Sequence, residues 1–67
     1  MKVVYDRETD TLMITLRDGR IIESDELRPG VIADFDADGT IMRIEVLDAS
    51  VAVSDPGSIE YRAAITR

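Results

Sequence analysis

The chain has no cysteine, no histidine and no tryptophan, and its one lysine is Lys2. Without cysteine there is no disulfide, no thiol nucleophile and no redox chemistry, and the sequence is silent on redox compartment. With histidine also absent, a structural zinc lacks its usual ligands and no imidazole can activate a serine. Apolar runs are only a few residues long, too short for a membrane-spanning helix. Met1-Lys2-Val3-Val4 enters a strand pattern directly, without the hydrophobic region of a signal peptide. A cytoplasmic location is the default expectation.

Positive charge is scarce as well. Eight Lys and Arg face fourteen Asp and Glu, a net charge of −6. The basic residues are scattered singly, so the chain should repel phosphate backbones and anionic membrane surfaces. A basic protein is the kind of partner this charge attracts.

Sixty-seven residues make one domain, 1–67, with no room for a second. A chain of 7.4 kDa exposes roughly 10,700 Å² unfolded and about 4,200 Å² folded. Burying that difference contributes about 95 kcal/mol, against roughly 100 kcal/mol for ordering the chain. The two nearly cancel. Self-association, as a homodimer or a higher homo-oligomer, is the natural further source of stability where neither disulfide nor zinc is available.

What the chain does have is alternation. Lys2 to Tyr5 reads as a strand, followed by a polar turn at 6–10. In Thr11 to Arg17, Leu12, Ile14 and Leu16 share one face and Thr11, Met13, Thr15 and Arg17 the other. Asp18-Gly19 is a turn signal, and Arg20 to Glu26 reads as an edge strand whose acids Glu23, Asp25 and Glu26 discourage edge pairing. Arg28-Pro29-Gly30 then turns the chain into residues 31–50, VIADFDADGTIMRIEVLDAS.

This stretch answers to two readings. Asp34, Asp36, Asp38, Gly39 and Glu45 fit the calcium-loop pattern D-x-D-x-D-G-x5-E. The same residues also form a hairpin around Asp38-Gly39, with residues 31–36 paired to 41–47. A two-residue type I′ loop there would pair Ala37 with Thr40, Asp36 with Ile41, Phe35 with Met42, Asp34 with Arg43, Ala33 with Ile44, Ile32 with Glu45 and Val31 with Val46. One face is then wholly apolar, carrying Val31, Ala33, Phe35, Met42, Ile44 and Val46, and a one-residue slip would destroy it. Calcium needs two flanking helices, and Pro29-Gly30 breaks the first. The hairpin is the expectation, and no cofactor or metal is expected; Asp34, Asp36, Asp38 and Glu45 stand as weak metal candidates.

The last seventeen residues, 51–67, admit two outcomes. Ser54-Asp55-Pro56 resembles the start of a short helix. Ile59, Tyr61, Ala63 and Ile65 alternate with Glu60, Arg62, Ala64 and Thr66, which favours a strand over 58–65. The expected fold is a small, mainly-β antiparallel meander of hairpins, with an α+β form carrying one short C-terminal helix as the alternative.

Two runs carry a family resemblance: Tyr5-Asp6-x3-Asp10-x-Leu12-x-Ile14-x-Leu16, and Gly30-Val31-x2-Asp34-x-Asp36-x2-Gly39-x4-Ile44-Glu45-x-Leu47-Asp48-Ala49-Ser50. Over about residues 3–50 the chain resembles the small prokaryotic family numbered 2283 among the domains of unknown function, leaving 51–67 as an extension. Met13 stands where an aromatic is common, and Arg43 where a glycine often precedes Ile-Glu. The resemblance implies a compact antiparallel β domain with no catalytic residues to carry over. Some family members are encoded beside small toxin-like proteins, which implies an antitoxin-like or partner-binding role.

No constellation for catalysis emerges. Ser24, Ser50, Ser54 and Ser58 sit in turn-like or strand-edge contexts, where hydroxyls commonly bond to backbone. Glu45 can be paired on paper with Asp34 or Asp48, but fourteen acids in so short a chain produce such pairs by chance. Asp48 and Ser50 have an ordinary use in capping the chain reversal, as do Asp6 and Asp10 around the first turn. The expectation is a non-enzymatic interaction module, with Ile32, Ile41, Ile59, Tyr61 and Ile65 as interface candidates.

Overall fold

The computed structural model describes residues 1–65. Five strands form one antiparallel sheet: β1 (Lys2–Asp6), β2 (Thr11–Thr15), β3 (Glu23–Arg28), β4 (Val31–Phe35) and β5 (Ile41–Val46). A single-turn helix, α1 (Ala49–Ala52), follows. No helix among these residues is long and apolar enough to cross a membrane.

The strand order is β1-β2-β5-β4-β3. Tight turns join β1 to β2, β3 to β4 and β4 to β5. Residues 16–22 instead carry the chain from β2 past the ends of β5 and β4 to the far edge, a Greek-key connection added to the expected run of hairpins. Passage of this connection is built into β5. The backbone N–H groups of Leu16 and Arg17 both donate to the Met42 carbonyl, at 2.8 and 3.4 Å. A Cβ at Gly19 would lie 2.6 Å from the Met42 Cε, so a larger residue there would push the Met42 methyl aside.

The central hairpin keeps most of its expected register: Val31 opposite Val46, Ile32 opposite Glu45, Ala33 opposite Ile44 and Asp34 opposite Arg43. Beyond Asp34 it departs. Phe35 sits opposite Ile41, not Met42, and Met42 becomes the extra residue of a bulge. The turn is not type I′ either. Asp36 N–H donates to the Thr40 carbonyl at 3.0 Å, which closes a loop of Ala37, Asp38 and Gly39. Gly39 has φ 81°, while Asp38 keeps the usual negative φ. The cause is the Asp36 carboxylate, whose Oδ1 accepts from the N–H groups of both Asp38 and Thr40 at 2.9 Å. The longer loop consumes the expected Ala37–Thr40 and Asp36–Ile41 pairs.

The edge strand expected over 20–26 runs from Glu23 to Arg28 and is exposed throughout. Two expectations for the chain after β5 are corrected. Helix forms at Ala49–Ala52, earlier than Ser54-Asp55-Pro56, which instead makes a turn closed by Ser58 N–H on the Asp55 carbonyl at 3.1 Å. Residues 58–65 form no strand, and Thr66 lies outside the described residues. Their alternation has no neighbouring strand to act on in a single chain.

Alternation and register assign the faces. Val3 and Tyr5, Leu12 and Ile14, Ile44 and Val46, and Val31 and Ala33 share one face. Ser24, Asp34, Arg43, Thr15 and Lys2 form one cross-strand row of the other.

Candidate functional site

Three arrangements of side chains have more than a local role. The first lies on the polar face. Asp34 is 1% exposed, the most deeply buried polar residue. Ser24 Oγ donates to its Oδ1 at 2.5 Å from β3, and Arg43 Nε donates to its Oδ2 at 2.8 Å from β5. Arg43 also reaches Glu45, with Nη2 3.6 Å from Oε2. Burial opposes the Asp34 charge, but its bonds with Ser24, Glu45 and Arg43 outweigh it and hold the carboxyl below its usual range. Glu45 moves the other way. Its contact with the Asp34 carboxylate, together with burial, raises its pKa despite Arg43. The alternation of the sequence placed Asp34 opposite Arg43; it carried no signal that this pair would be shielded from water.

This geometry bears on the calcium pattern. Asp34 is committed to Ser24 and Arg43, and Asp36 to its own turn. Among the described residues no three acidic side chains gather as ligands round one point.

The second arrangement joins distant parts of the chain. Asp10, at φ 53°, accepts from Tyr5 Oη at 2.6 Å, from Ser50 N–H at 2.9 Å and from Ser50 Oγ at 2.6 Å. Its own carbonyl accepts from Ala49 N–H at 2.9 Å. Asp10 therefore ties the β1–β2 turn to the start of α1, and Ala49 is buried at the junction. Ser50 and then Tyr5 lower the Asp10 pKa, and the same bond to Asp10 raises that of Tyr5. Asp48 does not cap α1 with its side chain; its left-handed backbone, φ 51°, makes the reversal. Asp6 serves its turn as expected, accepting from Glu8 N–H at 2.9 Å. Tyr5, Asp10 and Ser50 belong to the two runs of the family pattern, and that shared pattern was the available signal that they meet.

The third arrangement is apolar. Residues 53–59 cross the β1–β2 half of the apolar face and leave a groove of about 570 Å³ lined by Val3, Tyr5, Leu12, Ile14 and Ile59, among others. The same face continues uncovered over Ile44, Val46 and Val31, all half-buried. The interface candidates are dispersed. Ile32 is half-buried on the polar face, Ile41 sits at the bulge, and Ile59, Tyr61 and Ile65 are 66%, 73% and 93% exposed.

These features define a small antiparallel Greek-key sheet with a polar latch at one end and an apolar face left open. The chain belongs to the family described as "Protein of unknown function (DUF2283)", whose sequence model matches residues 2–50. The matched region holds all five strands and both partners of the Asp10–Ser50 latch. No curated protein and no solved structure matches the chain.

Proposed function

We propose that the chain is a non-enzymatic protein-interaction module that works as a self-associated pair, one copy covering the apolar face of the other. The observation that carries this reading is surface area. The chain exposes 5454 Å², whereas a compact chain of its mass exposes about 4,200 Å². The excess, about 1,250 Å², exceeds the roughly 800 Å² that each partner buries in a standard interface. The apolar sheet face is half-buried and has no second sheet on it among the described residues, and Ile59, Tyr61 and Ile65 beyond it are exposed, so face-to-face packing of two copies would cover both.

The polar residues support a non-catalytic role. Ser24 donates its proton to Asp34, and that carboxylate is already held by Arg43, so it is poorly placed to serve as a base. The test is light scattering on the purified chain together with melting at several concentrations. A dimer whose melting temperature rises with concentration is expected. A monomer at high micromolar concentration, melting independently of concentration, would overturn the reading.

A small basic partner protein is the second reading. It is favoured by β3, where Glu23, Asp25 and Glu26 stand exposed along one edge of a chain of net charge −6. Capture of such a partner by a chain that remains monomeric would select it.

A further inference from the structure

We infer that residues 58–65 become a sixth strand, added to the free edge of β1 in a second copy. This rests on the self-association proposed above and names what completes it.

The two edges of the sheet differ. In β3 four of six residues are charged, and the pairing with β4 is interrupted by a register shift between Glu26 and Arg28. Charge and irregularity are how edge strands are kept from pairing. β1 has neither at its centre. Val3-Val4-Tyr5 is uncharged, pairs with β2 in unbroken register, and leaves Val4 44% exposed. Its outer backbone groups have no strand beside them among the described residues.

The segment after α1 has the complementary shape. Ile59, Tyr61, Ala63 and Ile65 alternate with Glu60, Arg62 and Ala64 in a stretch without regular secondary structure and without a strand neighbour. Such a period-2 pattern is matched to a sheet edge, where main-chain bonds hold the strand and alternate side chains join the apolar face. The second copy is the recipient because of the route the segment takes. Residues 53–59 line the groove over their own β1 and β2, and residues 58–65 pair with no strand of their own chain, which leaves the edge of a second copy to take them.

Charge selects a register. Every pair of neighbouring strands in this sheet is antiparallel. With the apolar faces kept in common and Val3, Val4 and Tyr5 all paired within 59–65, three antiparallel registers are possible, and two of them set like charges opposite one another, Lys2 against Arg62 or Asp6 against Glu60. The next sets Asp6 against Arg62, Val4 against Ala64, Tyr5 against Ala63 and Val3 against Ile65. The Arg62–Glu60 ion pair that it replaces, at 3.2 Å, is largely exposed on both sides and contributes little.

The absence of cysteine makes a direct test clean. Val4→Cys chains are mixed with Ala64→Cys chains, oxidised, and weighed by mass spectrometry. Directly opposite positions bring Cβ atoms within about 5 Å, a separation that a disulfide can close with little adjustment. The expected product is the mixed 4–64 dimer in excess over the 4–4 and 64–64 products. A dominant 4–4 product means that two β1 edges pair with each other and overturns the inference. So does a dimer by light scattering that forms no 4–64 link, and in that case the proposed function stands. A native chain that stays monomeric removes both. Hydrogen exchange on the unsubstituted chain provides a check that needs no variant. The alternate amides of 3–5 that face away from β2, and the alternate amides of 59–65 that meet them, should be protected together and lose that protection on dilution; free exchange of every amide of 59–65 in the dimer would also overturn the inference.

Discussion

On the polar face of the sheet a carboxylate, Asp34, is almost completely shielded from water, while on the apolar face Val3, Tyr5, Leu12, Ile14, Ile44 and Val46 are only half-buried. In a sheet without a second layer, burial comes from the residues alongside. Asp34 is short and lies in a row between Ser24 and Arg43, whose side chains reach across it. The large apolar residues stand above their neighbours, and only the β1–β2 part of their face is crossed by residues 53–59. Depth and polarity are thus decoupled here, and each prediction below breaks or sharpens that contrast.

Met42 should give the largest effect, since it is buried and lies where the 16–22 connection meets β5. Met42→Ala should cost about 2–4 kcal/mol by urea denaturation, as for other buried apolar truncations. Removing the buried carboxylate comes next. Asp34→Ala leaves Arg43 and Ser24 without their acceptor and should cost about 2 kcal/mol. If the loss is negligible, the polar row is ornamental and the contrast between the faces fails.

On the apolar face the effect should depend on assembly. Ile44→Ala should cost about 1–2 kcal/mol in dilute solution, because the side chain is only half-buried. The cost should grow at concentrations where the native chain is paired. A loss that does not change with concentration would mean that the face is never covered.

The smallest effect tests the charges. Asp34 has its pKa lowered on folding, so its contribution is present above its ordinary value of 3.8 and is lost as pH falls through the folded value. Glu45 has its pKa raised, so its protonated form favours the fold below its ordinary 4.5, and that gain is lost as pH rises through the folded value. Glu45→Gln should therefore raise the melting temperature slightly at neutral pH and lose this advantage below 4.5. A drop at neutral pH would show that the contact with Arg43 outweighs repulsion by Asp34.

The sheet was legible where period-2 alternation meets a partner close in sequence, and Val31 to Asp34 pair with Arg43 to Val46 as their faces dictate. The bulge at Met42 was not legible, because it accompanies the three-residue loop and because Leu16 and Arg17, which donate to the Met42 carbonyl, lie in a remote part of the chain. The turn was misread because Asp36 binds two backbone N–H groups that a pattern of faces does not represent. Residues 58–65 show the converse, a strand pattern with no strand beside it. Of the candidate sites, Asp10 and Ser50 were both in view, but their bond spans forty positions and nothing local joins them.

The Greek-key connection also orders events in time. β1 with β2, and β3 through β5, can each form from neighbouring residues, whereas the β2–β5 seam joins Leu12 to Val46. Loop closure over that distance must be met before its contacts reward it, so the seam is expected to form last, a sequence that hydrogen exchange during refolding would follow. During synthesis β2 emerges before β5, and its open side has no partner until Arg43, which pairs with Thr15, has left the ribosome. In that order a local hairpin and a three-strand unit dock, and the Asp10–Ser50 latch, which joins residues on either side of the seam, would report completed folding.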